Sequence, residues 1–130
     1  MICTPSTRTP RLAATAFAVT TALAGTASAA TLVTPFVRAN NGQRLSCEVT
    51  NIGTSPVTVE LTLRDGSGQV LVPDGTTCGQ TLAPQGTCAV FSFANDRAYC
   101  TIVTSGGKAR AAIAVFGSDT SLVTVVPATK

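Results

Sequence analysis

The chain has 130 residues, with nine basic residues, six acidic residues, five cysteines and a formal net charge of +3. It contains no histidine. This excludes a serine or cysteine nucleophile that is activated by a histidine base, and it excludes metal sites with histidine ligands.

Residues 1–29 have the pattern of a secretory signal peptide. Arg8 and Arg11 form a basic start, residues 12–24 are an uncharged apolar run, and Ala27-Ser28-Ala29 supplies the small residues that signal peptidase accepts. The apolar run is 13 residues long, whereas a helix that spans a membrane needs about 20, which disfavours an uncleaved anchor. We therefore predict cleavage before Ala30 and a bacterial protein that is secreted or periplasmic.

Removal of the signal leaves residues 30–130, which we predict to be a single domain. Seven basic and six acidic residues remain, a net charge of +1. This balance gives no electrostatic support for binding to nucleic acid or to a strongly anionic membrane surface. Neither a linker nor an internal repeat divides the segment, and we expect no membrane span after cleavage.

Strands are predicted along most of this domain, because apolar and polar residues alternate with a period of two and turn residues separate the runs. In chain order the candidates are Leu32–Arg38, Arg44–Thr50, Val57–Arg64, Gln69–Val72, Thr87–Phe93, Tyr99–Thr104, Lys108–Phe116 and Leu122–Val126. No segment has a convincing helical pattern. Seven or eight short strands predict an all-β fold, an immunoglobulin-like antiparallel β-sandwich, with a small closed barrel as the alternative.

Turn residues separate these strands. Asn41-Gly42 predicts a tight hairpin, because both central positions of a type I′ turn have positive φ. Asp65-Gly66-Ser67-Gly68 is predicted to join the third and fourth strands, and Pro84-Gln85-Gly86 to form a turn before Thr87. Gly106-Gly107 and Gly117-Ser118-Asp119 separate the last three strands.

Cys3 lies in the signal, so four cysteines remain: Cys47, Cys78, Cys88 and Cys100. Four cysteines in an exported domain of this size indicate two disulfides. Their spacings, with 30, 9 and 11 intervening residues, lack the short paired motifs of a zinc site.

Strand parity favours one of the three possible pairings. Cys47 shares a strand face with Leu45 and Val49, and Cys100 shares one with Ile102, so both cysteines point inward from separate strands. Cys88 lies on the face opposite to Phe91 and Phe93, where it would meet Cys78 at the rim. We therefore predict the disulfides Cys47–Cys100 and Cys78–Cys88.

The charged residues suggest no reaction centre. Asp65, Asp74, Asp96 and Asp119 lie in predicted turns, whereas Glu48 and Glu60 lie at outward strand positions. Neither a carboxylate pair nor a calcium loop is therefore favoured, and we expect no enzymatic activity, metal or cofactor. Arg44, Arg64, Lys108 and Arg110 also lie at predicted outward positions, where they would form a cationic stripe only if their strands shared one sheet.

Two further features bear on binding. Ala109, Ala111, Ala112 and Ala114 make one strand small on both faces, which favours close packing of the sheets or, alternatively, a flat exposed surface. Phe36 and Tyr99 are expected to be exposed, and an exposed aromatic side chain can anchor an interface.

Several motifs resemble those of bacterial extracellular immunoglobulin-like domains, of which the cell-adhesion-related bacterial domain is the nearest. They are Val49-Thr50-Asn51-Ile52-Gly53-Thr54, the alternating run Val57–Leu63, Asp65-Gly66-Ser67-Gly68 and Leu82-Ala83-Pro84-Gln85-Gly86. The resemblance implies a sandwich fold and a role in contact with protein or carbohydrate, and it transfers no site residues. The chain departs from antibody-type domains because it has no tryptophan and because Tyr99 directly precedes Cys100.

We therefore expect a non-catalytic exported protein, a binding or structural module that contacts a protein or polymer of the cell envelope or extracellular space. The alternative is a small soluble inhibitor or ligand carrier that presents the Cys78–Cys88 loop, within Pro73 to Thr87, to its target.

Overall fold

The computed structural model of the protein describes residues 28–129, in which ten β-strands form two antiparallel sheets. The strands are β1 Ala29–Val33, β2 Val37–Arg38, β3 Arg44–Asn51, β4 Val57–Asp65, β5 Gly75–Thr76, β6 Thr81–Leu82, β7 Thr87–Phe93, β8 Arg97–Ser105, β9 Ala109–Phe116 and β10 Leu122–Pro127. Within this range no helix is long and apolar enough to cross a membrane. The predicted signal peptide lies outside the described residues, except for Ser28 and Ala29.

The first sheet has the strand order β1-β8-β4-β6, and β2 pairs with β8 beyond the end of β1. The single strand predicted at Leu32–Arg38 is therefore wrong. The Thr34 hydroxyl accepts a hydrogen bond from the Cys100 backbone N–H (2.8 Å), while the Thr34 N–H donates to the Cys100 carbonyl (3.0 Å). Since Pro35 has no N–H to donate, the backbone ladder is interrupted here and resumes at Val37.

The second sheet has the order β10-β9-β3-β7-β5, with β3 paired along its length to both β7 and β9. Leu45, Cys47 and Val49 are at most 1% exposed and face the core, as the alternation predicts. Ser46 lies on the opposite, outer face of the strand but is fully buried, and its hydroxyl donates to the Glu48 carboxylate (3.0 Å).

The two sheets enclose one hydrophobic core, to which β3, β4, β8 and β9 contribute Leu45, Leu63, Ile102 and Ile113. A disulfide between Cys47 in β3 and Cys100 in β8 links the sheets through this core. A second disulfide joins Cys78, which follows β5, to Cys88 in β7. These are the two pairs that strand parity predicts.

Two glycine turns carry the chain from one sheet to the other. The hairpin predicted at Asn41-Gly42 is wrong, because β2 lies in the first sheet and β3 in the second. The Gln43 N–H donates to the Asn40 carbonyl (3.0 Å), and of the central pair only Gly42 has positive φ (83°), which fits a type II turn. Gly106-Gly107 makes a second crossover, and a Cβ on Gly107 would lie 2.6 Å from Val57 Cγ1.

The segment between β4 and β7 differs most from the predicted strands. The turn at Asp65–Gly68 is present, but the strand predicted at Gln69–Val72 is reduced to an isolated bridge between Val70 and Arg64. β5 and β6 were not predicted. They pair with β7 and β4 respectively, so the chain crosses between the sheets at this rim as well.

Candidate binding face on the second sheet

The register of β7, β3 and β9 places large side chains in rows on the outer surface of the second sheet. Arg44 in β3 lies opposite Phe93 in β7 and Phe116 in β9, and Phe91 lies opposite Ser46 in the next row. We call Arg44, Phe91, Phe93 and Phe116 the aromatic face. Residues opposite each other in an antiparallel sheet share one face, and the intervening Leu45 points into the core.

Small residues form the floor beneath these rings. Ser46 and Ala114 are at most 3% exposed although they face outward, because the larger neighbouring side chains cover them. A groove of about 390 Å³ runs between Phe91, Phe93 and Phe116 and ends at the loop of Gly117. Surface depressions of similar volume occur elsewhere on the molecule, so the three phenylalanine rings in its lining, and not its size, distinguish this groove.

The alanines of β9 therefore have two different uses. Ala109 and Ala111 face the core, opposite Asn51 and Val49 of β3, and allow the sheets to pack closely. Ala112 and Ala114 face outward, opposite Glu48 and Ser46, where their small side chains leave space for the groove between the larger rings. The inward alanines fit the predicted close packing of the sheets, whereas the alternative of a flat exposed surface does not hold at Ala114, which is only 3% exposed.

Arg44 is held in place within the aromatic face. Its guanidinium carbon lies 4.4 Å from the centroid of the Phe91 ring, a cation–π geometry. Its Nη2 lies 3.5 Å from the Asp74 carboxylate, and its Nε is buried without a hydrogen-bond partner. The side chain remains 43% exposed, so part of a planar cation is presented beside the rings.

The remaining cations do not extend this face into a stripe. Arg64 belongs to β4 of the first sheet, and its Nη1 donates to the Gly68 carbonyl (2.8 Å). Lys108 lies in the turn before β9, and only Arg110 shares the outer surface with Arg44. Because these cations do not all lie on strands of one sheet, they do not form the predicted cationic stripe.

Phe36 and Tyr99 meet on the opposite side of the molecule. Phe36 is 56% exposed, as expected, and its ring contacts the half-buried Tyr99 ring edge-on, with 4.9 Å between centroids. Tyr99 pairs with Arg64 in the first sheet. Among the described residues, the two exposed phenylalanines, Phe36 and Phe93, thus lie on opposite sides of the molecule.

The carboxylates in the turns are occupied by local hydrogen bonds. The Asp65 carboxylate accepts bonds from the Ser67 hydroxyl (2.7 Å) and from the backbone N–H groups of Ser67 (2.8 Å) and Gln69 (2.9 Å), which hold the pKa of Asp65 below its usual value. The Ser121 hydroxyl and N–H lower the pKa of Asp119 in the same way. All of these bonds end on Oδ1, so one oxygen of each carboxylate serves the local turn. The described residues contain no metal-binding group of three or more acids or cysteines.

The Cys78–Cys88 loop is anchored to the fold through Asn51. The buried Asn51 amide donates to the carbonyls of Ser55 (2.8 Å) and Leu82 (3.2 Å), and its oxygen accepts a bond from the Gly53 N–H (2.9 Å). Backbone bonds join Asn51 to Gln85 and Gly86. Leu82 is itself only 8% exposed, so the middle of this loop is part of the core.

Sequence reasoning did not single out Phe91, Phe93 and Phe116. β7 is apolar on both faces, with Cys88 and Val90 buried inward, so its composition does not distinguish a binding face from a core face. Strand parity places Phe91 and Phe93 on the face opposite to Cys88 and Val90, but it does not indicate which of the two faces is exposed. Comparison of the chain with known protein families, with curated proteins and with solved structures finds no match.

Proposed function

We propose that the protein is an exported, non-catalytic interaction module whose aromatic face contacts a protein of the cell envelope or extracellular space. The observation that carries this proposal is the 56% exposed ring of Phe93, which lies with the half-buried rings of Phe91 and Phe116 beside Arg44 over a small-residue floor. Aromatic residues and arginine are the types most enriched at the centres of protein interfaces. Covering the exposed part of Phe93 alone stabilises a complex by about 1 kcal/mol.

The proposed fold type is an immunoglobulin-like sandwich. Taken as strands B, C, E and F of that fold, β3, β4, β7 and β8 have the expected B–E and C–F pairing, and Cys47–Cys100 corresponds to the B–F disulfide. The outer strands differ, because β1 pairs with β8 and β9 pairs with β3. Many sandwiches of this type act through surface contacts, which supports an interaction module by analogy.

Export is supported by the predicted signal peptide and by the disulfides. Disulfides form and persist mainly outside the reducing cytosol, and small exported domains depend on them. A non-catalytic role is supported by the absence of histidine and by the placement of the acids. Asp65 and Asp119 are engaged in turns, and Asp74 and Asp96 lie beside Arg44 and Arg38.

The alternative of a presented inhibitory loop has less support. The loop between Cys78 and Cys88 contains β6, which pairs with β4, and its Leu82 side chain packs in the core. These contacts give the loop a role in stabilising the fold. Its exposed residues, among them Gln80 and Gln85, carry no charge or aromatic ring with which to bind a target.

The proposal is tested by exchanging matched phenylalanines. Phe93 and Phe36 are both 56% exposed, but Phe93 lies on the second sheet and Phe36 lies between β1 and β2, against Tyr99 of the first sheet. Phe93→Ser and Phe36→Ser should therefore have similar costs for folding. Cells that export each variant are treated with a crosslinker and fractionated, and the crosslinked partners are identified by mass spectrometry without reduction.

We expect the native chain and Phe36→Ser to yield the same partner protein, and Phe93→Ser to lose it. Affinity for that purified partner should fall roughly tenfold, as for loss of an interface anchor. Loss with Phe36→Ser instead, or a free monomer with every chain, would contradict the proposal, and capture of a polymer would contradict the class of partner.

A further inference from the structure

The outer surface of the second sheet is ordered in rows of side chains that run across β7, β3, β9 and β10. The first row, which we call the large row, consists of Phe93, Arg44, Phe116 and Leu122. The next row along β3, the middle row, consists of Phe91, Ser46, Ala114 and Val125. The row after that, the small row, consists of Ala89, Glu48, Ala112 and Pro127.

The large row and the small row differ in size and in charge at matching positions. On β7 and β9, a phenylalanine in the large row corresponds to an alanine in the small row. On β3, Arg44 corresponds to Glu48. Within one copy the Cα atoms of Arg44 and Glu48 are about 13 Å apart, the length of four strand residues, and the Arg44 guanidinium lies beside Asp74 instead.

A two-fold axis along the middle row exchanges the large row with the small row. A second copy that is laid face to face on the first about this axis places its β3 over β3 in the antiparallel sense. Each phenylalanine of the large row on β7 and β9 then lies over an alanine of the second copy, and Arg44 lies over Glu48 of the second copy. The surface is therefore complementary to itself in both shape and charge.

We infer that the protein is a two-fold symmetric dimer in which the outer surfaces of the two second sheets pack face to face. The inference rests on the proposed function and names the partner of the aromatic face, which is a second copy of this chain. The interface contains two Arg44–Glu48 pairs, one on each side of the axis, and it covers the exposed ring of Phe93 in each copy. Because the same surface serves both copies, the contact closes as a dimer and does not continue into a filament.

The area of this surface is sufficient for a weak specific dimer. Strands about 4.8 Å apart and rows about 6.8 Å apart give the three rows a footprint of about 19 by 20 Å. Thr50 and Arg110 extend the footprint at one end and Ser118 extends it at the other, to a length of about 34 Å. Twisted sheets cross at about −30° and separate at their corners, so the two copies together bury roughly 1,000 Å², the lower end of specific interfaces.

The ends of the footprint are also complementary in charge. The two-fold axis places Arg110 of β9 over the loop of the second copy that contains Ser118 and the exposed Asp119. Opposite charges therefore meet at the ends of the interface as well as beside its centre, which favours this register over others.

Sedimentation velocity of the exported protein, purified after expression of the full chain, tests the dimer. For an interface of this size we expect a dissociation constant of roughly 1–100 µM. Arg44→Glu places two acids together in each pair and Glu48→Arg places two bases together, so each variant alone should weaken the dimer roughly tenfold or more. An equimolar mixture of the two variants should form a heterodimer about as tight as the native dimer, because every pair then joins an acid to a base.

The matched controls are Arg64→Glu and Glu60→Arg. They make the same charge changes at the same spacing on β4 of the first sheet, and they should leave the dimer unchanged. A native protein that stays monomeric at roughly 1 mM overturns the inference. A dimer that survives both Arg44→Glu and Glu48→Arg, or a mixture of these two variants that stays monomeric, also overturns it.

Failure of the dimer and failure of the proposed function are read separately. If the native protein is monomeric while crosslinking at Phe93 captures a different protein, the dimer is overturned and the aromatic face remains a binding surface. If the native protein is monomeric and position 93 captures nothing, both are overturned.

Discussion

Removal of the buried Asn51 amide should strongly destabilise the protein. Asn51→Ala deletes hydrogen bonds to Ser55, Leu82 and Gly53 at a site with no solvent exposure. A net value of about 1 kcal/mol for each bond, with an added penalty where the Leu82 carbonyl is left buried and unpaired, gives a loss of about 2–4 kcal/mol. For a domain of this size the corresponding decrease in Tm is roughly 10–25 °C.

The aspartate variant tests the direction of these bonds. Asn51→Asp keeps the acceptor for Gly53 but turns a carboxylate oxygen toward the Ser55 and Leu82 carbonyls. Burial and these acceptors should raise the pKa of the new carboxyl above its unfolded value of about 3.9. The loss in free energy of unfolding caused by Asn51→Asp is therefore largest at pH values above the raised folded pKa. This loss should shrink as the pH falls toward 4, because the carboxyl regains a proton that it can donate.

Urea unfolding with intact disulfides, followed by far-ultraviolet circular dichroism, measures both effects. Asn95→Ala, at an exposed asparagine, is the matched control and should change stability by less than about 0.5 kcal/mol. If Asn51→Ala costs no more than this control, or if the penalty of Asn51→Asp is the same at pH 7 and pH 4, the reasoning about this anchor is wrong.

Three more predictions concern stability. Thr34→Val removes the acceptor of the buried Cys100 N–H and should cost about 1–3 kcal/mol in urea unfolding, whereas Thr34→Ser should retain most of the stability. The double change Cys78→Ala and Cys88→Ala releases a loop with a sequence separation of 10 and should cost about 3 kcal/mol, and an unchanged urea midpoint would refute this estimate. With no histidine to titrate, stability should be flat between about pH 7 and 5, and it should fall as the pH drops through the lowered pKa of Asp65, less so in Asp65→Asn.

The sequence alone predicts a strand and its inward residues correctly where that strand has one buried face. The alternation in β3 and β4 predicts both strands and their inward residues, and the same parity identifies Cys47 and Cys100 as partners. These features depend only on a period of two and on a core that must be filled.

The features that were missed depend on partners distant in sequence. The break between β1 and β2 is made by Thr34 and Cys100, which are 66 positions apart, and β5 and β6 are too short to have a detectable period. Asn41-Gly42 predicts a turn but does not indicate whether the strands on either side share a sheet. The aromatic face was missed because its residues resemble core residues in composition, and only register brings β7 and β9 to the two sides of Arg44.

The central claim is that the outer surface of the second sheet contacts a partner protein. Its most direct test is to place a photoreactive benzophenone amino acid in the exported protein, at Phe93 in one variant and at Val103 on the first sheet in another, and to irradiate intact cells. We predict that position 93 crosslinks to one defined partner protein and that position 103 gives no such product. Equal products from both positions, or none from position 93, would contradict the claim.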